Sequence, residues 1–258
     1  MQELLPPFAL AMILTAVLAW PLRRWLAHKG FMDQPGERRS HRVATPRGGG
    51  LAMAAAILVA IAVTEPMSSA VWGVCGLLLL LAGLGWLDDA RDLPVGWRLG
   101  AQLGIGLMML ALTGPVNSVT VGSLDLQLPW LWSTLGLIAV VWLMNLHNFM
   151  DGSDGLLAAQ GAWSGLTLAA LMTAKGGDLA AVLGVSLAGG CLGFLLWNRP
   201  PARLFMGDSG SMLVGGMVGL LALTGAASGL ISIWTGLLVC SLSVVDATAT
   251  LLRRVRRG

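Results

Sequence analysis

Charge-poor apolar runs of about 16 to 23 residues, parted by short polar breaks, recur along nearly the whole chain and constrain its fold more than any other feature. A helix needs about 20 residues to cross a bilayer core. Runs that approach this length lie near 4–26, 48–64, 70–87, 99–114, 130–148, 157–174, 179–197, 212–227 and 229–252. They leave no stretch for a separate soluble core, so the sequence predicts one all-α integral domain over 1–258, a polytopic bundle of about nine transmembrane helices. The last two runs are parted only by "GAASGL", which leaves eight as the alternative count. Composition agrees, with 56% hydrophobic and 11% charged residues against roughly 45–50% and 25% in soluble domains. The first run has neither a basic stretch before it nor a small-residue cleavage site after it, and reads as a membrane helix rather than a signal peptide.

The cations set the sidedness. Alternating the loops groups Arg23, Arg24, Lys29, Arg38, Arg39, Arg42, Arg47, Arg91, Arg98, Arg199, Arg203, Arg253, Arg254, Arg256 and Arg257, 15 of the 16 Lys and Arg, with Lys175 opposite. Basic residues beside membrane helices stay cytoplasmic, which predicts an outside (periplasmic) amino terminus and a cytoplasmic carboxyl terminus. The net charge of +3 serves that orientation, and its spread through short loops excludes a nucleic-acid face. Trp20, Trp25, Trp86, Trp130, Trp132 and Trp197 fall near predicted helix ends, where an amphipathic ring suits the headgroup layer. Cys75, Cys191 and Cys240 are odd in number and sit in apolar runs, so they read as buried hydrophobes rather than disulfides or metal ligands.

With sidedness set, Asp88, Asp89, Asp92, Asp151, Asp154 and Asp208 all face the cytoplasm, whereas Glu3, Glu65, Asp125 and Asp178 lie opposite without a motif. In "WLDDARDL" the spacing puts Asp88 and Asp92 on one helical face, where two like charges call for a cation or a proton between them. "NLHNFMDGSDGL" gathers Asn145, His147, Asn148, Asp151 and Asp154 at a helix end, with Gly152 and Gly155 for turning. Hard oxygen ligands of this kind suit magnesium; a helix cap accounts for one pair but not for all five, and a calcium loop fails for want of a closing acid. "RLFMGDSGSML" sets Asp208 before an apolar helix whose amides can receive phosphate. "RRSHRVATPRGGGLA" offers a second phosphate cradle at Gly48, Gly49 and Gly50, against an equally weighted reading as topology-setting charge. His41 and His147 are candidates for proton transfer but lack zinc-ligand spacing, and His28 is an interfacial residue.

Taken in order, "SHRVATPRGGG", "DDARD", "NLHNFMDGSDGL" and "LFMGDSGS" resemble the polyprenyl-phosphate N-acetylhexosamine-1-phosphate transferases from about residue 30 to 257. The resemblance implies a multi-pass protein of the bacterial inner membrane with a cytoplasmic active site. Its reaction would be a magnesium-dependent transfer, with manganese as the alternative ion, of sugar-1-phosphate from a UDP-N-acetylhexosamine to undecaprenyl phosphate. The products would be UMP and a lipid-linked diphosphate sugar that starts an O-antigen or cell-envelope polysaccharide. It further implies Asp151 and Asp208 as metal ligands, Asp88, Asp89 and Asp151 as the catalytic acids, with Asp88 and Asp89 either contacting the metal or deprotonating the lipid phosphate, and Asn148, Asp154, Arg47 and Gly48 as substrate-binding residues. Asp92 stands where some relatives carry Lys, which favours the O-antigen type, and Ala44 where many carry Pro. Relatives usually continue past "LLRRVRRG" into a histidine-rich loop and further helices, and a chain without these is expected to lack part of the phosphate site.

Two rivals remain at this point. CDP-alcohol phosphotransferases also use aspartates and magnesium but in one continuous motif, and a non-catalytic polyprenyl-lipid binder would keep the pocket without the chemistry. Gly215, Gly216 and Gly219 permit close helix packing within one chain or in a homodimer.

Overall fold

Long apolar stretches have no alternative to the helix in a medium that cannot hydrogen-bond the backbone. In the computed structural model, which describes residues 2–34, 43–241, 244, 245 and 253, they form α1 (Leu5–Lys29), α2 (Gly50–Thr64), α3 (Ser69–Arg91), α4 (Val95–Thr113), α5 (Pro129–Met150), α6 (Leu156–Thr173), α7 (Asp178–Asn198), α8 (Asp208–Ala227) and α9 (Ile233–Val239). His41, Arg38, Arg39, Arg42, Arg254, Arg256 and Arg257 lie outside the described residues.

The all-α expectation holds. Among the described residues seven helices are long and apolar enough to cross a membrane, α2 has 15 residues, and the last predicted run, which is described only in part, contains α9. Two small ribbons join the helices: β1 (Met32–Asp33) pairs with β2 (Thr45–Pro46), and β3 (Val119–Val121) with β4 (Leu124–Leu126). The second is a hairpin whose alternating "VTVGSLDL" and turning Gly122, at φ +62°, form a strand signal too short and polar to stand out among the apolar runs.

The two most enclosed helices, α7 and α8, form the centre, and α1 and α4 lie outermost. Missing side chains set these contacts. Gly189 and Gly193 of α7 rest on the carbonyls of Phe8 and Met12 in α1, and Gly165 of α6 crosses Gly184 of α7 backbone to backbone. Gly215 and Gly219 meet α5 at Leu143 and Val140, and Gly216 meets Leu81 of α3, so all three are used inside the chain. Cys75, Cys191 and Cys240 are free and buried, as expected.

Gly85 carries the packing into the charged end of the bundle, because a methyl group there would land on the backbone carbonyl of Asp208. Gly85→Ala should therefore push α3 from α8 and lower stability by about 1–3 kcal/mol. Gly83, two residues earlier and so on the far side of the helix, has open space beyond it, and Gly83→Ala should be neutral or stabilising. Equal thermal midpoints for the two variants would refute this close approach.

Candidate active site

Four separate segments meet at one end of the bundle, and backbone hydrogen bonds bring them there. Beyond β2 the chain runs parallel to residues 205–206: Phe205 N–H donates to Pro46 O at 2.8 Å, Gly48 and Gly49 N–H donate to Phe205 O at 3.2 and 2.9 Å, and Gly50 N–H donates to Met206 O at 2.9 Å. The absence of a Cβ on Gly50 lets Gly210 come into backbone contact. This corrects the phosphate-cradle expectation for Gly48 to Gly50. Their three amides are already committed, and the glycines are the joint that fixes Arg47.

The amino terminus of α8 is likewise occupied. Asp208 and Ser209 N–H donate to Oδ1 and Oδ2 of Asp89 at 2.9 and 3.0 Å, and Gly207 N–H donates to Oδ2 of Asp151 at 3.1 Å. Gly210 and Ser211 N–H turn back to Gly207 O. Gly207 has φ +73°, and a Cβ on it would meet the Asp89 carboxylate at 2.7 Å. The positive end of the helix is thus capped by carboxylates of α3 and of the turn after α5. The expected phosphate site at these amides is corrected to a carboxylate cap, and Asp208 itself opens the helix rather than preceding it.

Arg47 stands among these acids. Its Nε lies 2.8 Å from Asp89 Oδ1 and its Nη2 2.6 Å from Asp208 Oδ1. Burial works against the guanidinium charge, but Asp89 and Asp208 outweigh it and hold the Arg47 pKa above its ordinary value. Asn148 Nδ2 donates to the same Asp208 oxygen at 2.8 Å and to Ser211 Oγ at 3.1 Å. Asp151 is raised well above the usual carboxylate range, chiefly by burial, with Arg47 opposing the rise and Asp208 and Asp89 adding to it. An acid so placed gains from a further cation nearby.

The other candidates divide. Asp88 is 4% exposed and fully engaged: Leu93 N–H donates to Oδ1 at 3.0 Å and Arg98 Nη1 lies 3.1 Å from Oδ2. The shared face with Asp92 is corrected, because α3 stops at Arg91 and Asp92 is an exposed cap with φ +46°. Asn145 donates to Gln102 of α4, and His147 is fully buried with Nδ1 against Leu143 O, so neither joins the cluster. Asp154 accepts from Ala202 N–H at 2.9 Å. Beside it Asn198 accepts from Gly155 N–H at 2.9 Å and donates to Leu204 O at 3.1 Å, so the turn after α5 and the segment after α7 are stapled together. Arg98 and Asn198 were missed by sequence reasoning, since Arg98 counts there only toward topology and nothing local marks Asn198. At the opposite end, Glu3, Glu65 and Asp178 line a cavity of about 560 Å³.

Among the described residues no three His, Cys, Asp or Glu side chains converge as a closed metal cage. Magnesium that is bound with substrate phosphates needs only one or two protein carboxylates, with water and phosphate completing the shell. Asp151 and Asp208 fit that role. The donors to Asp208 from Arg47 and Asn148 both fall on Oδ1 and the donor to Asp151 falls on Oδ2, and the Asp88 side chain also lies against the Asp208 carboxylate.

Comparison with known proteins adds to this geometry. Residues 71–226 match the family described as glycosyl transferase family 4. The chain is 32% identical over 254 residues to a probable undecaprenyl-phosphate N-acetylglucosaminyl 1-phosphate transferase of Bacillus subtilis, covering 94% of this chain and 70% of that one. It is 37% identical over 221 residues to the phospho-N-acetylmuramoyl-pentapeptide-transferase of Heliobacterium modesticaldum, covering 78% and 67%. The protein of that name from Moorella thermoacetica is 33% identical over 241 residues, covering 86% and 76%.

Proposed function

The chain belongs to glycosyl transferase family 4, and from that premise we propose that it transfers the 1-phosphate of an N-acetylated hexosamine from its UDP-activated form to undecaprenyl phosphate at the cytoplasmic face of a bacterial inner membrane. An oxygen of the lipid phosphate attacks the sugar-bearing phosphorus of the donor. The new P–O bond forms as the bond to the UMP oxygen breaks, and UMP leaves with the electron pair.

The observation that carries this reading is the convergence of Asp89, Asp151 and Asp208 around Arg47 from four segments far apart in sequence. Two anionic substrates must meet in such a reaction, so charge control is the main demand on the protein. Asp151 and Asp208 would hold magnesium or manganese, which supplies neutralisation between the substrates and at the departing UMP. Arg47 and Asn148 keep the Asp208 carboxylate oriented, while Asp154 and Asn198 hold the turn after α5 against the segment after α7. Gly48 acts through its backbone, by keeping the Arg47 segment in place.

The second ionisation of a phosphate monoester lies near pH 6, so at neutral pH the attacking oxygen needs no base. Asp88 and Asp89, whose oxygens are engaged by Arg98, Leu93, Arg47 and the α8 amides, therefore act as positioning residues.

The test is UMP release by the purified chain in detergent with undecaprenyl phosphate, magnesium and a panel of UDP-N-acetylhexosamines, with and without chelator. Release that stops with chelator and restarts with magnesium is expected, and the preferred donor names the sugar. Lipid binding without release by folded protein, for every donor, would replace this reading with that of a non-catalytic polyprenyl-lipid binder.

A further inference from the structure

The charged end of the bundle carries a second polar feature, apart from the acids. After α7 ends at Asn198, the chain turns through Arg199, Pro200 and Pro201, and Arg203 N–H returns to Trp197 O at 2.8 Å. The turn borders an open pocket of about 310 Å³ lined by Leu196, Trp197, Arg199, Pro200, Pro201 and Arg203. No carboxylate lines it, and among the described residues none pairs with Arg199 or Arg203, both of which are exposed.

Arg23 of α1 lies toward the same end of the bundle. This helix runs parallel to α7 in a steady register, with Phe8 at Gly189, Met12 at Gly193 and the Ala16 carbonyl accepting from Trp197 Nε1 at 2.9 Å. Arg23 is seven residues past Ala16, on the same helical face and about 10 Å further along. Its Nε is buried without an acceptor. On the other flank Leu196 is 56% exposed on a membrane-crossing helix, with Trp197 next to it.

Two unpaired arginines, set at a membrane helix end beside an exposed apolar side chain, match a ligand that is anionic at its head and apolar behind it. We propose that this pocket binds the phosphate of an anionic phospholipid, with the acyl chains lying along Leu196. None of its lining residues belongs to the acidic cluster, and the ligand meant is a resident phospholipid rather than the acceptor substrate. The inference rests on the chain lying in a bilayer and is independent of the reaction proposed above.

The experiment measures retention of dioctanoyl phosphatidylglycerol and dioctanoyl phosphatidylcholine by the full chain in native mass spectrometry, with inorganic phosphate as competitor. The wild type should retain phosphatidylglycerol over phosphatidylcholine. Arg199→Gln/Arg203→Gln should weaken that retention about thirtyfold, with an unchanged thermal midpoint, and Arg199→Lys/Arg203→Lys should restore most of it. Undiminished retention by the folded glutamine variant would overturn the proposal. So would displacement of the lipid by inorganic phosphate at equal concentration, which would identify a soluble anion as the occupant.

Discussion

Asp208→Asn should reduce UMP release by about 10²–10³-fold while leaving the protein folded. The substitution keeps the shape of the side chain, and Arg47 retains Asp89 as a partner 2.8 Å away. What it removes is the charge that Arg47 and Asn148 hold through Oδ1 and that, on the proposed reading, would hold the magnesium. Magnesium gives an independent readout, because an ion that binds only the folded state raises thermal stability by mass action. Added magnesium should raise the wild-type midpoint in the presence of UDP-sugar, and the variant should show little or no rise. Release within threefold of wild type would remove Asp208 from the site, whatever the fate of the family reading.

The membrane helices and the acids were legible in the sequence for different reasons. Apolar runs such as those near 70–87 and 179–197 announce helices because a bilayer leaves the backbone no other way to satisfy its polar groups. Asp88, Asp89, Asp151 and Asp208 stood out because ionisable groups at the ends of such helices need partners. The identity of those partners was hidden, since Asp89 caps a helix that begins 119 residues later and Arg47 reaches across 161 residues to Asp208.

The glycines mark the same limit. "PRGGG" and "MGDSG" look like phosphate cradles when each is read alone, because glycine and free amides are what a cradle needs. Zipped against each other, as Gly48, Gly49 and Gly50 are against Phe205 and Met206, they use up those amides and exclude side chains instead. Asp92 failed for a local reason. The helical spacing that paired it with Asp88 assumes one more residue of helix than α3 has before its left-handed cap.

Arg47→Leu should cost about 3 kcal/mol of stability, at the low end of the range for breaking a buried pair because the Arg47 side chain is 35% exposed. Asp89, with a side chain only 2% exposed, loses its counter-charge and is left with the α8 amides alone. The loss should depend on pH with a definite sign. Burial already holds Asp151 well above the ordinary carboxylate range, and Arg47 is the group that opposes this. Without the guanidinium the folded protein holds acidic protons more tightly still than the unfolded chain does, so the variant's stability falls as pH rises through the interval between the unfolded and folded pKa values. The gap to wild type should therefore be narrower near pH 5 than near pH 8. Arg47→Lys should recover only part of the stability, because a point charge cannot span the two carboxylates that Nε and Nη2 reach together. Thermal unfolding of the three proteins across pH is the measurement. A leucine variant as stable as wild type at every pH would mean that the α8 amides alone compensate the acids, and that the guanidinium is incidental to the assembly of the site.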